Sequence, residues 1–408
     1  MRDYQAVATV EALRSGVTSR HLAAIFSYGR EALLERVERD LEEVSREGRP
    51  RALLLRGHFG EGKTHFLNLV LNRAREKNFA VSFVVLSKET PFNRLDRVYP
   101  KVVAGTYLPG TEDPGIEVLL RDLRPGHPLT EDLLAAVREE LHPKLFYVLK
   151  NYLATGDTYH QHLLYSDLAG EWIPLAQLKS LHRLNFGRAL KTPPFRPQAD
   201  AWDYFRFLAQ LIKKRGFAGW VILFDEFELV GTLGLAARSE SYFNLARFLF
   251  PQEGKELPHT FAVFSTAHQL WEFRLLPQER HRPDKEEVTA RFRTKGEPEK
   301  AERARQAIDA LLRDVVDLNP LSSSEVQRML SKVAEFHAQA YGWRPEVNLE
   351  ELLQKLLNNP KAQRLRTKIR YTVEYLDLKY LYREEPEVEA GELEEGALEE
   401  AAVAGEEA

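Results

Sequence analysis

Eight consecutive residues, Gly57-His58-Phe59-Gly60-Glu61-Gly62-Lys63-Thr64, fit the spacing G-x-x-x-x-G-K-[ST] in full. Glycines at that spacing let the backbone curl so that successive N–H groups point inward at phosphate oxygens, and a following helix adds the positive end of its dipole. Lys63 is then placed to neutralise β- and γ-phosphates, and the Thr64 hydroxyl to hold Mg²⁺. A second stretch, Val221-Ile222-Leu223-Phe224-Asp225-Glu226, is an apolar run ending in two carboxylates. Asp225 can bind Mg²⁺ through a water, while Glu226 stays free to orient and deprotonate an attacking water.

Further residues could complete such chemistry. The run Phe261-Ala262-Val263-Phe264 ends in Ser265-Thr266, where a hydroxyl could hold the lytic water or report the γ-phosphate; chain position favours Thr266, with Ser265 nearly as good. Gln363-Arg364-Leu365-Arg366-Thr367-Lys368-Ile369-Arg370 opens a helix with cations in its first turns, against the helix dipole, which suits a helix that offers an arginine to an anion or one with a solvated basic face. Arg291 and Arg293 could act in trans between subunits or belong to a plain basic loop. His160 and His162 lack a third ligand at metal spacing, and no Ser/His/Asp set, zinc finger, RNP-type motif or heptad seam stands out.

The elements that position these groups alternate. A buried strand at Ala52-Leu53-Leu54-Leu55 precedes the glycine loop, and a helix from about Lys63 to Lys77 follows it. Strands are expected at residues 80–86, 220–224, 260–264 and 315–318, with helices near 202–215 and 242–250. Such alternation argues for a parallel sheet flanked by helices. Residues 4–48 read as helix interrupted at Gly29, and residues 105–197, punctuated by prolines, read as a helical insertion with no strong strand candidate. Beyond Pro320 the chain reads as helical, opened by a Ser322…Glu325 capping box.

Charge divides the 408 residues unequally. The formal net charge is -4, yet residues 384–408 hold 11 Glu and no base, which leaves 57 cations and 50 acids before them, a net +7. The tail has the composition of a disordered segment, and the mildly basic body allows a polyanionic partner. Cysteine is absent, which excludes disulfides and thiolate chemistry. The polar start and the lack of any 18-residue uncharged apolar window predict a soluble, cytoplasmic protein without a membrane partner.

With these motifs in place the chain resembles the AAA+ ATPases of the BREX phage-defence ATP-binding type (BrxC/BrxD), relatives of origin-recognition AAA+ proteins. The resemblance rests on Ala12 to Val17, Tyr28-Gly29-Arg30-Glu31, Gly57 to Leu67 with His65-Phe66-Leu67, Lys88 to Asn93, Gly219 to Glu228 and Asn319-Pro320-Leu321-Ser322. It implies an α/β P-loop fold with a five-stranded parallel core and a helical lid. It also implies ATP and Mg²⁺ as cofactors, hydrolysis, homo-oligomeric assembly, and work on DNA beside a helicase-like or other defence-system protein. On that pattern Gly29 and Arg30 resemble the adenine-side box, Thr266 the first sensor, and Arg364, with Arg366 as rival, the lid arginine. The implied division is an N-terminal helical segment (1–50), the core (51–104 and 198–320), the insertion (105–197), the lid (321–383) and the acidic tail (384–408), with no room for a winged-helix domain after Tyr382. A nucleotide-gated switch acting on a protein without DNA is the alternative, and a small-molecule kinase a distant third.

Overall fold

The computed structural model describes residues 4–16, 18–278, 282–345, 347–358, 362 and 364–382; Gln363 and the acidic tail 384–408 lie outside the described residues. Among the described residues six strands form one sheet: β1 (Arg51–Gly57), β2 (Phe79–Val85), β3 (Thr106–Tyr107), β4 (Gly219–Asp225), β5 (Thr260–Ala267) and β6 (Val316–Asp317). Their spatial order is β3-β2-β4-β5-β1-β6. β2 runs parallel to β4, paired from Phe79↔Gly219 to Val85↔Asp225, and β4 runs parallel to β5 from Trp220↔Thr260 to Phe224↔Phe264. Every residue of β4 and β5 is buried, as continuous apolar runs in a sheet covered on both faces must be.

The expected five-stranded parallel sheet is thus a six-stranded, mixed one. The extra strand, β3, lies in the stretch read as strandless and pairs antiparallel with β2 through Val81↔Tyr107. Two residues are too few to show a period of two in sequence. What makes them a strand is long-range: the Phe83 amide donates to the Gly105 carbonyl at 3.0 Å, and the Ser82 and Thr106 hydroxyls meet at 2.7 Å. The helical stretch expected over 4–48 with a break at Gly29 is three helices, Tyr4–Arg14, Arg20–Ile25 and Glu31–Glu47: the break at Gly29 is there, and a second falls before Arg20. Ser19 caps the second by accepting from the Leu22 amide, and Gly29 turns the chain at φ +68° before the third.

The chain divides into two compact units. One comprises residues 38–55 and 73–316 and holds most of the sheet. Its centre is aromatic: Phe92 packs edge-on against Phe224, Phe227 and Phe264, and Phe224 stacks on Phe264 with centroids 4.9 Å apart. In this unit the helices Glu117–Arg121, Pro128–Glu140, Pro143–Ala154, Thr158–Leu168 and Leu175–Phe186 follow β3. Asp167, fully buried, ties them to the helix Pro197–Lys214: it accepts from Lys144 Nζ at 2.5 Å, the Tyr204 hydroxyl at 2.6 Å and the Ile173 amide at 2.9 Å. Burial pulls the Lys144 ammonium down in pKa, and the Asp167 carboxylate opposes that shift.

The other unit comprises residues 1–37, 56–72 and 317 onward. Ala6, Val10, Leu13 and Phe26 pack with Met329, Val333, Val373 and Leu376, joining the first helix to Ser323–Tyr341 and Leu365–Tyr382. Arg14 grips Asp377 through Nε at 3.0 Å and Nη2 at 2.9 Å. The capping box stands as read: Ser322 accepts from the Glu325 amide, and Glu325 accepts from the Ser322 amide.

Candidate functional site

The glycine loop leaves β1 at Gly57 and enters the helix Lys63–Glu76. Gly60 (φ +79°) and Gly62 (φ +90°) occupy left-handed backbone that glycine adopts without strain; Gly62 is a fixed glycine of the pattern, while Gly60 stands at one of its variable positions. Other elements wall the loop closely. A Cβ added at Gly57 would sit 3.2 Å from Leu318 Cβ, and one at Gly60 would sit 3.3 Å from Arg364 Cβ. Lys63 is buried, with Nζ donating to the Gly57 and His58 carbonyls at 3.3 Å each, so its ammonium is folded back along the loop's inner edge. The Thr64 carbonyl accepts from the Asn68 amide group at 2.9 Å.

The flanking residues expected near the loop are there. Arg30, buried, donates to the Asn319 carbonyl at 2.7 Å and to the Glu61 carbonyl at 3.1 Å; burial lowers the pKa of its guanidinium. Gly29 has no room for a side chain, since a Cβ would lie 2.6 Å from Leu321 and 2.7 Å from the Glu325 carboxylate that completes the capping box. His65 joins the first turn of the loop's helix to the N-terminal segment: Nε2 meets the Phe26 carbonyl and Nδ1 the Thr18 hydroxyl at 3.3 Å. Burial lowers its pKa, so the ring is held neutral.

Arg364 and Arg366 both reach the loop, through one residue. Their guanidinium carbons stand 5.4 and 5.5 Å from the Phe59 ring centroid, and the Arg366 amide donates to the Gly60 carbonyl at 3.3 Å. Rivals in the sequence, they share an aromatic platform in the fold. Lys368, one turn further on, stands out in the sequence only as part of the basic run. It is buried, and its charge bears on Glu61. Burial raises the Glu61 carboxyl in pKa, opposed by Lys368, Arg30, His58 and Lys63. The i, i+4 spacing from Arg364 is the signal that could have singled it out.

In the other unit, Asp225 ends β4 and is almost wholly buried. Its Oδ1 accepts from the Glu226 amide at 3.1 Å. Glu226 takes left-handed backbone at φ 61°, a conformation that costs a non-glycine residue about 1 kcal/mol or more and tends to be kept where it aims a functional group. Glu228, two residues on, accepts from the Ala267 amide at 3.0 Å and so fastens the acid-bearing turn to the end of β5. In the sequence Glu228 is only one more member of an acidic run. Ser265 and Thr266 are fully buried on β5, and neither hydroxyl has a hydrogen-bond partner among the described residues. Buried hydroxyls left unpaired cost about 1–3 kcal/mol, so two in succession call for a polar group to meet them.

Of the weaker candidates, the arginine pair is placed differently from the sequence reading. Arg291 and Arg293 lie on the helix Asp284–Thr294, not on a loop; Arg291 is half-buried and Arg293 exposed. His160 lies in the first turn of the helix Thr158–Leu168, whose cap Asp157 accepts from the His160 amide at 2.8 Å. Among the described residues no group of three His, Asp or Glu could hold a metal ion, and no helix is long and apolar enough to cross a membrane.

These features fall within a recognised family. The model of the BREX system ATP-binding protein BrxC/D matches residues 2–117 and 197–393, most of the chain, and the protein belongs to that family. Residues 118–196 fall outside the match. Among solved structures, domain III of the replication initiation protein DnaA from Thermotoga maritima is similar at 14% identity over 88% of each chain, with a TM-score of 0.32, too loose a superposition to say anything of the site. No curated protein matches the chain.

Proposed function

We propose that this chain is an AAA+ ATPase of prokaryotic antiphage defence, which couples Mg-ATP binding and hydrolysis to assembly on DNA or to loading of a nucleic-acid-processing partner. The observation that carries the reading is the loop 57–64: two left-handed glycines and a lysine folded along its inner edge make a cradle for phosphate oxygens. Its donors suit a triphosphate. Loop amides and Lys63 would take the phosphate charge, Arg30 would fix the loop from behind through the Glu61 carbonyl, and Arg364 or Arg366 would reach it from the lid. Mg²⁺ neutralises phosphate oxygens when bound; Thr64 offers it a hydroxyl and Asp225 a carboxylate, both hard oxygen donors of the type it selects.

Glu226 takes the role of base, receiving the proton of the attacking water, and Thr266 or Ser265 supplies a hydroxyl whose partner is a water or phosphate oxygen. The test is Glu226→Gln. ATP affinity is expected to hold within about twofold while turnover falls on the order of 10²- to 10⁴-fold. Unchanged turnover would remove Glu226 from that role. Lys63→Ala should lose nucleotide binding itself. Adding DNA to the wild-type protein should raise its ATPase rate; indifference to DNA, with a response to a protein instead, would favour a switch.

A further inference from the structure

The family match skips residues 118–196, and toward the end of that stretch the charge becomes one-sided. Residues 172–199 contain Lys179, Arg183, Arg188, Lys191 and Arg196 and no Asp or Glu. All five cations are exposed, and none makes an ion pair among the described residues. Some exposed or half-buried cations elsewhere in the same unit are matched, as Lys214 is with Asp132 at 3.2 Å, Arg215 with Asp122 at 3.0 Å and Lys300 with Glu297 at 3.0 Å. A segment that could have carried carboxylates, and does not, keeps its cations available to something outside the chain.

Aromatic rings stand among these cations. Lys150 lies over the Phe186 ring at 4.9 Å and over the Phe146 ring at 5.7 Å, and Arg138 lies 5.7 Å from the same Phe146 ring. Burial lowers the pKa of His182, and the charges of Lys150 and Arg188 lower it further. Phe146 and Phe186 are half-buried, and Leu184, next to Arg183, is 68% exposed. Phe146 and Lys150 of Pro143–Ala154, Phe186 at the C-terminal end of Leu175–Phe186 and Arg188 just beyond it therefore present a strip in which cations stand among partly open rings.

We propose that this strip, formed by the segment that falls outside the family match, is a binding surface for single-stranded nucleic acid. Unpaired cations suit a phosphate backbone, and rings set between them suit bases whose faces are free to stack. A duplex hides those faces, and an acidic protein would use the cations but leave the rings idle. The inference deepens the DNA part of the proposed function and rests on it. It requires nothing of the nucleotide loop.

The test uses the full chain and a fluorescently labelled 20-nucleotide oligo-dT, its duplex with oligo-dA, and poly-glutamate as competitor, read by anisotropy across salt. The triple charge reversal Arg183→Glu, Arg188→Glu, Lys191→Glu is expected to weaken oligo-dT binding at least tenfold at low salt and to make the log–log salt slope shallower by about 2, at roughly 0.7 for each phosphate no longer engaged. Its ATPase rate without DNA should be unchanged, because these side chains are exposed and outside the nucleotide machinery. Phe186→Leu should weaken oligo-dT about fivefold or more, with Phe186→Trp restoring it. If Phe186→Leu fails to fold, the charge reversal still decides.

Wild-type binding that the charge reversal leaves intact would overturn this surface alone. Absence of any DNA binding by the wild type would overturn the surface together with the DNA part of the proposed function, leaving ATP hydrolysis to be judged by Glu226→Gln. Duplex binding tighter than oligo-dT, or displacement by poly-glutamate at equal charge concentration, would overturn the assignment to single strands or to nucleic acid respectively.

Discussion

The two regions that bear the candidate chemistry are built by different means. The loop 57–64 is held by its backbone: Arg30 and Lys63 direct their donors to main-chain carbonyls, and glycine at 60 and 62 sets the path. The acid-bearing end of β4 is held by side chains, with Phe92, Phe224, Phe227 and Phe264 packed beneath it and Glu228 fastened to the Ala267 amide. A backbone-held loop tolerates change in most side chains but not at its glycines. A packed turn tolerates little change in volume. The same two means recur at larger scale, side chains in the buried Lys144–Asp167 pair of one unit and backbone at Gly29 of the other, where no Cβ fits.

The strongest challenge to that contrast is Asp167→Ala. It leaves Lys144 buried beside apolar and aromatic groups, facing the Phe195 and Trp172 rings at 4.4 and 5.9 Å, and strands the Tyr204 hydroxyl. Breaking such a pair by removing one partner costs about 3–5 kcal/mol. Thermal unfolding should drop accordingly, with hydrogen exchange rising first in residues 117–186; a loss below about 1 kcal/mol would mean the network is not what anchors those helices.

Gly29→Ala tests the backbone-held side. The φ of +68° and the approach of Leu321 and Glu325 predict a cost of about 1–3 kcal/mol. Exchange should rise around residues 28–31 and 319–325 and not in β4 or β5. Uniform loosening of both units would erase the distinction.

Phe59→Leu should have a milder effect. A cation over a ring at an accessible site contributes about 0.5–1 kcal/mol, so loosening Arg364 and Arg366 should raise the KM for ATP roughly two- to fivefold with kcat nearly constant. Phe59→Trp should keep the wild-type KM. A fall in kcat at unchanged KM would show that the ring serves something other than the arginines.

The shallowest effect is that of pH. Burial lowers the pKa of His65 in one unit and of His182 and His259 in the other. The unfolded chain takes up protons near the ordinary value of about 6.5 while the folded chain resists them. Stability is therefore fully present above that pH and declines as pH falls through the lower folded values. Melting temperatures from pH 8 to 5 should fall on the acid side, and His65→Gln should flatten part of the slope; stability that rises on acidification would contradict the assignment.

Much of the candidate site was legible because it is local. Gly60 and Gly62 sit where a left-handed path is needed, and Ser322 and Glu325 cap within four residues of each other. The runs that became β2, β4 and β5 were found to within a few residues, their apolar continuity reporting burial on both faces. The misses were non-local. β3 exists because Gly105 and Thr106 find Phe83 and Ser82, and Lys144 reads as an ordinary surface lysine until Asp167, 23 residues away, is placed against it.

The sequence by itself determined the inventory and the short-range shape: which residues could take phosphate, metal or a water's proton, and where the backbone must turn left-handed, because φ preference and strand periodicity belong to a few adjacent residues. Only the tertiary structure decided which groups share a neighbourhood. It set Arg364 and Arg366 on one ring rather than choosing between them, left the Ser265 and Thr266 hydroxyls buried without protein partners among the described residues, and gathered Lys150, Phe186 and Arg188 into one strip. Such pairings join residues far apart in the chain, and they are selected by packing, where burial fixes what each charge and each ring must face.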